Sequence, residues 1–336
     1  MGVIYKKMQA LKRIGILGVY NRIMYKIITR KRRKTFGTLN ADKTFYVIRG
    51  VDHHQKYYRG VAMNLLANYS YVLTHIMYAE TKGWLPIVDQ TKDPVNTKEN
   101  YPINGTENPW EYFWEQPIPY SLEEVYQSKN VVLSKRSWFP QWDLGYSAEK
   151  HLDPSVIQLY YSLSKRIPLN QNTANYVSEV SQSLFKNGKR FLGVSMRRGG
   201  HAKEDSYHAP NHPIQPTPEE MLQIVQKRIN EWDIDFVFLA TEEQQYIDFF
   251  KNFLGEKLVF MPRRRYNGWK KYKENENPLY QPGQKYQTAL EYLTEMELLA
   301  KCHCLIGSIT SGLRYAIIRN NSKFDKVEII ENGFWK

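Results

Sequence analysis

The chain has 336 residues, 42% of them hydrophobic, which suits one or two domains with a sizeable core. Its formal net charge is +13, yet residues 1–34 hold eleven Lys and Arg and no acid, so the remainder is within about two charges of neutral. That distribution argues against a nucleic-acid binder with a basic folded surface. The only cysteines, Cys302 and Cys304, argue against a disulfide-stapled secreted fold, and both read as small buried core residues.

In the basic stretch, Tyr20, Ile23, Met24, Ile27 and Ile28 follow the spacing of one helical face, and Arg30–Lys34 follow at once. A basic amphipathic helix beside a polybasic run is expected to lie on an anionic membrane surface, with a solvated tail or a docked helix as rivals. No segment has the roughly 20 apolar residues of a spanning helix. Residues 14–20 lack the cleavage pattern of a signal peptide. The protein is therefore expected to be cytoplasmic and peripheral on the inner face of the membrane.

Thr44–Arg49 predict a strand, Val61–Lys82 a helix closed by Gly83, and Leu85–Asp89 a second strand. His53 and His54 lie in the intervening loop. Without a third ligand at a recognisable spacing they read as polar surface or substrate contacts rather than a metal site. Residues 94–120, with Trp110, Tyr112, Phe113 and Trp114, form an aromatic insertion that either walls an acceptor groove or packs beneath a domain.

The second half predicts four buried strands, each with a polar loop at its carboxyl end, where open α/β sheets place their ligands. The first, Arg190–Met196, runs into Arg197, Arg198, Gly199 and Gly200. Paired guanidiniums suit a diphosphate, and the glycines allow close backbone approach. The second, Phe236–Thr241, ends in Glu242 and Glu243, and the third is Lys257–Met261. The pair Asp233 and Asp235 mimics a metal-binding Asp-x-Asp but sits at the wrong end of its strand. Residues 266–287 are polar with Gly and Pro, which suggests a lid or a disordered loop. The fourth strand begins near Cys302 and ends in Ser308, Thr310, Ser311 and Gly312 before a helix with Arg314, a composition that cradles anions.

These four loops, in order and spacing over residues 185–320, resemble the α1,2/α1,6/protein O-fucosyltransferase superfamily. The likeness lies in Ser195-Met-Arg197-Arg198-Gly199-Gly200, Ala240-Thr241-Glu242-Glu243, Glu295, and Gly307-Ser308-Ile-Thr310-Ser311 with Arg314. It implies an α/β fold of the GT-B kind, two Rossmann-like domains facing across a cleft. The expected boundaries are a membrane-surface segment at 1–35, an acceptor-side domain at 36–180 and a nucleotide-sugar domain at 181–336.

The resemblance also implies an inverting, metal-independent glycosyltransferase that moves fucose from GDP-fucose onto a surface-polysaccharide or lipopolysaccharide glycan. By that resemblance Arg197 binds the pyrophosphate, with Ser195, Arg198, Gly199, Thr241, Glu242, Ser308, Thr310, Ser311 and Arg314 on the donor side and Glu295 near the nucleoside. Glu204 is the implied base, with Asp205 its rival, and Arg59, Gly60 and Asn64 are the implied acceptor-side residues. The family's His before the arginines is Ser195 here, and its Asp after them is Gly200. Those departures leave open another nucleotide sugar, or a non-catalytic relative that binds nucleotide or carbohydrate.

Overall fold

The computed structural model describes residues 30–50, 64–93, 95–136, 147–197, 212–267 and 281–335, with single positions 20, 24, 27 and 279. In the N-terminal half, β1 (Arg32–Lys34) and β2 (Phe45–Ile48) precede α1 (Leu65–Glu80) and β3 (Leu85–Val88). Then come α2 (Leu122–Val125), β4 (Val131–Leu133), α3 (Ala148–Leu152), α4 (Pro154–Ser164) and α5 (Gln171–Leu184). The sheet order is β1-β4-β2-β3. β2 runs parallel to both β3 and β4, and every residue of β2 is buried, as a central parallel strand requires.

α1 begins where Asn64 accepts the Ala67 N–H at 2.8 Å, and it ends just before Gly83, whose φ of +64° suits glycine. Thirteen of its sixteen residues are buried. Such a helix lies inside the molecule rather than on its surface.

The polybasic run does not stay apart from the fold. Arg32–Lys34 form β1, an antiparallel edge strand on β4, so the boundary expected at residue 35 falls just past a strand of this sheet. Charge on an edge strand keeps other chains from pairing with it. The Lys31 ammonium lies 5.4 Å and 5.3 Å from the ring centres of Tyr78 and Trp84 and donates to the Tyr78 hydroxyl at 2.9 Å.

The C-terminal half follows as β5 (Phe191–Met196), α6 (Pro218–Glu231), β6 (Phe236–Thr241), α7 (Gln244–Leu254) and β7 (Leu258–Val259). It closes with α8 (Lys285–Lys301), β8 (Cys304–Gly307), α9 (Ser311–Asn320) and β9 (Lys326–Ile329). All pairings are parallel, in the order β7-β6-β5-β8-β9. The chain winds outward from β5 through β6 to β7, then returns to β8 on the other side. The α/β class expected from the sequence is met, with a mixed sheet in the first half and an all-parallel one in the second. Asp235 accepts from the Arg190 N–H at 2.8 Å and from Lys189 at 3.0 Å, so it serves the start of β6 rather than a metal. Cys302 and Cys304 are buried and unbridged.

One apolar cluster runs through both halves. It joins Leu66, Tyr69, Ile76 and Trp110 of the first to Leu293, Leu305, Tyr315 and Ile317 of the second. Tyr69 meets Tyr315 edge-to-face at 4.8 Å, and Trp110 stacks on Trp114 at 4.6 Å. Such ring pairs contribute about 0.5–1.5 kcal/mol beyond burial. Trp110, Tyr112, Phe113 and Trp114 are at most 1% exposed, so the aromatic insertion is core rather than groove wall.

Candidate functional site

The sheet reverses its winding direction between β5 and β8, and crevices form outside the carboxyl ends of strands at such a point. Ser195 of β5 pairs there with Gly307 of β8. A Cβ on Gly307 would lie 3.1 Å from both the Cβ and the carbonyl oxygen of Ser195, so glycine lets the two strand ends approach. Arg197 leaves β5 at this spot, half-buried.

The loop after β8 supplies hydrogen-bond donors. Thr310 caps α9 by accepting the Leu313 N–H at 3.2 Å. The N–H groups of Ser311 and Gly312 begin the helix and have no acceptor within it. Ser308 is 1% exposed, and its hydroxyl has no hydrogen-bond partner among the described residues. A buried, unmatched hydroxyl beside a helix N-terminus is suited to an anionic oxygen. Arg314, in the first turn of α9, is half-buried.

Asn64 brings the other half of the molecule to the same loop. Its side-chain amide donates to the Ser311 hydroxyl at 3.3 Å, across 247 positions of sequence. α1 and α9 thus present their N-termini to one another.

Beyond β6, Thr241 Oγ1 accepts the Glu243 N–H at 3.3 Å, and the Glu242 carbonyl accepts the Tyr266 N–H at 2.8 Å. Behind this loop lies a buried ion triad. Glu295 accepts from Arg263 at 2.7 Å and from Arg265 at 2.9 Å, and all three side chains are at most 2% exposed. Both arginines also donate to the Thr241 carbonyl, at 3.3 Å and 3.1 Å. Burial lowers the pKa of Arg265, and Glu295 offsets part of that cost. Glu295 therefore braces the Thr241 loop through two guanidiniums.

Two titratable groups adjoin Arg197. Burial raises the Tyr292 pKa, with Glu242 adding to the rise and Arg197 opposing it. Burial lowers the His212 pKa and the Arg197 charge lowers it further, which favours the neutral imidazole. The backbone of His212 is fixed by a terminal strap: Trp335 donates to the His212 carbonyl at 3.0 Å and Ile214 to that of Gly333 at 2.9 Å.

The structure thus gathers Ser195, Arg197, Thr241, Glu242, Ser308, Thr310, Ser311, Arg314 and Asn64 about the switch point and its flanking loops. Arg198, Gly199, Glu204, Asp205, Arg59 and Gly60 lie outside the described residues, as do His53, His54 and most of the polar loop after Tyr266. The sequence reading does not reach Arg263, Arg265, Tyr292 or His212. A signal existed for the first two: Arg263-Arg264-Arg265 follow a short apolar strand as Arg197 and Arg198 follow β5. Among the described residues no three His, Cys, Asp or Glu side chains are grouped as a metal would need.

No family model matches the chain, and no curated protein does. Solved structures are similar to it. One is NodZ alpha-1,6-fucosyltransferase soaked with GDP-fucose, at 15% identity and TM-score 0.46, over 87% of this chain and 100% of that one. Fucosyltransferase NodZ from Bradyrhizobium gives 15% and 0.46 over 82% and 93%. POFUT1 in complex with GDP gives 9% and 0.45 over 86% and 99%. Each likeness spans most of both chains with few identical residues.

Proposed function

We propose that this chain is an inverting, metal-independent glycosyltransferase that moves a sugar from a nucleoside diphosphate onto a glycan acceptor. The observation that carries the reading is the buried Ser308 hydroxyl, unmatched among the described residues, at the N-terminus of α9 beside the strand that delivers Arg197. In this reading the diphosphate lies between them, held by Arg197, Ser308 and the N–H groups of Ser311 and Gly312.

The acceptor oxygen forms a bond to the sugar's anomeric carbon as the bond from that carbon to the diphosphate breaks. The bonding pair leaves on the diphosphate, whose growing charge faces Arg197 and the helix N-terminus. The hydroxyl proton passes to a carboxylate, Glu204 or Asp205 by the family resemblance. Fucose from GDP-fucose is the donor that resemblance implies. The acceptor is a surface-polysaccharide or lipopolysaccharide glycan.

A second reading keeps the transferase and changes the donor base. The engagement of Glu295 by Arg263 and Arg265 favours it, because a carboxylate so held is not open to guanine N–H groups.

The protein is also proposed to sit on the inner face of an anionic membrane through its basic N-terminal stretch. Tyr20 and Ile27, one helical face apart by seven, are 51% and 44% exposed. Among the described residues no helix is long and apolar enough to cross a membrane.

The test is calorimetric titration with GDP, UDP, CMP and dTDP, without metal, of wild type and Arg197→Ala. GDP binding that disappears in the variant supports the fucosyltransferase reading. Selective binding of another nucleotide moves the donor, and binding of none overturns the transferase.

A further inference from the structure

The N-terminal sheet carries a second charged cluster, at the carboxyl ends of β2 and β4. Arg49 follows β2, Arg136 stands three residues beyond β4, and Arg32 opens β1 opposite Leu133, the last residue of β4. Three guanidiniums therefore meet at the one end of this sheet where an α/β fold takes ligands.

Among the described residues no carboxylate is hydrogen-bonded to Arg32 or Arg49. Asp93 accepts the Gly50 N–H and lies 2.5 Å from Arg136. Asp89, the other acid among the described residues at these strand ends, is engaged elsewhere: it accepts from the Thr91 N–H at 3.0 Å, the Thr91 hydroxyl at 2.7 Å and the Tyr126 hydroxyl at 2.5 Å. Among the described residues the Arg49 guanidinium is met only by carbonyl oxygens, those of Ser134 at 3.2 Å and Arg30 at 3.4 Å. The Arg32 Nε–H is buried and has no acceptor among the described residues. Burial, Arg136 and Arg32 all lower the pKa of Arg49, and Asp93 opposes them. Cations this crowded and half-buried are stabilised by an added anion.

The cluster is also tied to the donor loop. The Tyr71 hydroxyl, on α1, bonds the carbonyls of Arg49 and Lys135 at 3.0 Å each. Tyr71 stands seven residues along α1 from Asn64, about 10 Å by helix rise, and Asn64 touches Ser311. A short oligosaccharide spans that separation.

We propose that Arg32, Arg49 and Arg136 form an anion subsite on the acceptor side, which takes a carboxylate or phosphate group carried by the acceptor glycan. The assignment of the ligand to the acceptor rests on the transferase reading; the anion site itself does not.

The test is calorimetric titration of the full chain with glucuronate and with inorganic phosphate, free of nucleotide. Wild type, Arg32→Gln, Arg136→Gln and Arg197→Ala are compared, each checked for native near-ultraviolet dichroism. Arg32 lies on an edge strand, so its variant guards against an unfolded Arg136→Gln. The expected result is glucuronate binding, or phosphate binding beyond any that Arg197→Ala removes, weakened about tenfold in Arg32→Gln and Arg136→Gln, the scale of one lost charged hydrogen bond. Glucuronate alone behaving so identifies a uronate-bearing acceptor, and phosphate alone a phosphorylated one. Equal affinity in all four proteins, or no binding of either probe to wild type, overturns the subsite. Phosphate binding lost only in Arg197→Ala, with glucuronate silent, also overturns it and leaves the donor reading standing.

Discussion

The side chain of Asn64, which caps α1, meets that of Ser311, the first residue of α9, at 3.3 Å. Asn64→Asp keeps the capping oxygen but turns the donor to Ser311 into an acceptor and adds negative charge beside the proposed diphosphate. Its melting temperature is expected within a few degrees of wild type, with nucleotide affinity reduced. Asn64→Ala is expected to lose about 1 kcal/mol as well, from the missing cap. Thermal unfolding and calorimetry on the two variants separate cap from charge; an Asp variant that binds nucleotide as wild type does removes Asn64 from the site.

Ser308 gives the sharpest separation of stability from binding. A buried hydroxyl unmatched among the described residues contributes nothing favourable to the free fold, so Ser308→Ala is expected to melt at the same temperature or higher. Its nucleotide affinity is expected to fall by about tenfold, one hydrogen bond to a charged group. A variant that melts lower and binds equally well would make Ser308 a packing residue.

Glu295 is expected to behave in the opposite way. Glu295→Ala leaves the Arg263 and Arg265 guanidiniums buried without their carboxylate, a loss on the order of 3–5 kcal/mol. The double variant Arg263→Met with Glu295→Gln removes one charge of each sign and is expected to recover part of it. Denaturant unfolding of both proteins measures the difference, and a fully stable single variant would show that the triad is not a brace.

Asp93 makes the fold sensitive to acid in an unusual direction. Burial pushes its carboxyl up to about 6, against the pull of Arg136. Between its ordinary value of 3.8 and about 6 the folded chain holds a proton that the unfolded chain has released. That contribution to stability is present in full below the unfolded value and declines as pH rises through this window. Asp93→Asn is expected to flatten that decline. Unfolding midpoints at pH 4, 5, 6 and 7 for both proteins decide it, and parallel profiles would place the titration elsewhere.

Much of the C-terminal sheet was legible because its strands are apolar runs with polar punctuation. Phe191–Met196 and Phe236–Thr241 end within a residue of where composition changes. The contact of Asn64 with Ser311 was not legible locally, since 247 positions separate the two, and Asn64 was named only through resemblance. β1 was not legible: Arg32-Arg33-Lys34 alternates no apolar face, and its pairing with β4 comes from a segment about 100 residues away. The role of Glu295 was hidden for a similar reason, because its partners lie 30 and 32 positions earlier in sequence, beyond β7. The insertion around Trp110 has the composition of either a sugar platform or a core, and only burial distinguishes them.

The shared apolar cluster has a consequence for engineering. Residues 181–336 expressed alone would bare their share of this cluster, including the face of Tyr315 that Tyr69 now covers. The halves are therefore not interchangeable modules. A chimera that trades the C-terminal half for another donor specificity must carry the matching face of α1 with it, or the graft will aggregate before its chemistry can be assayed.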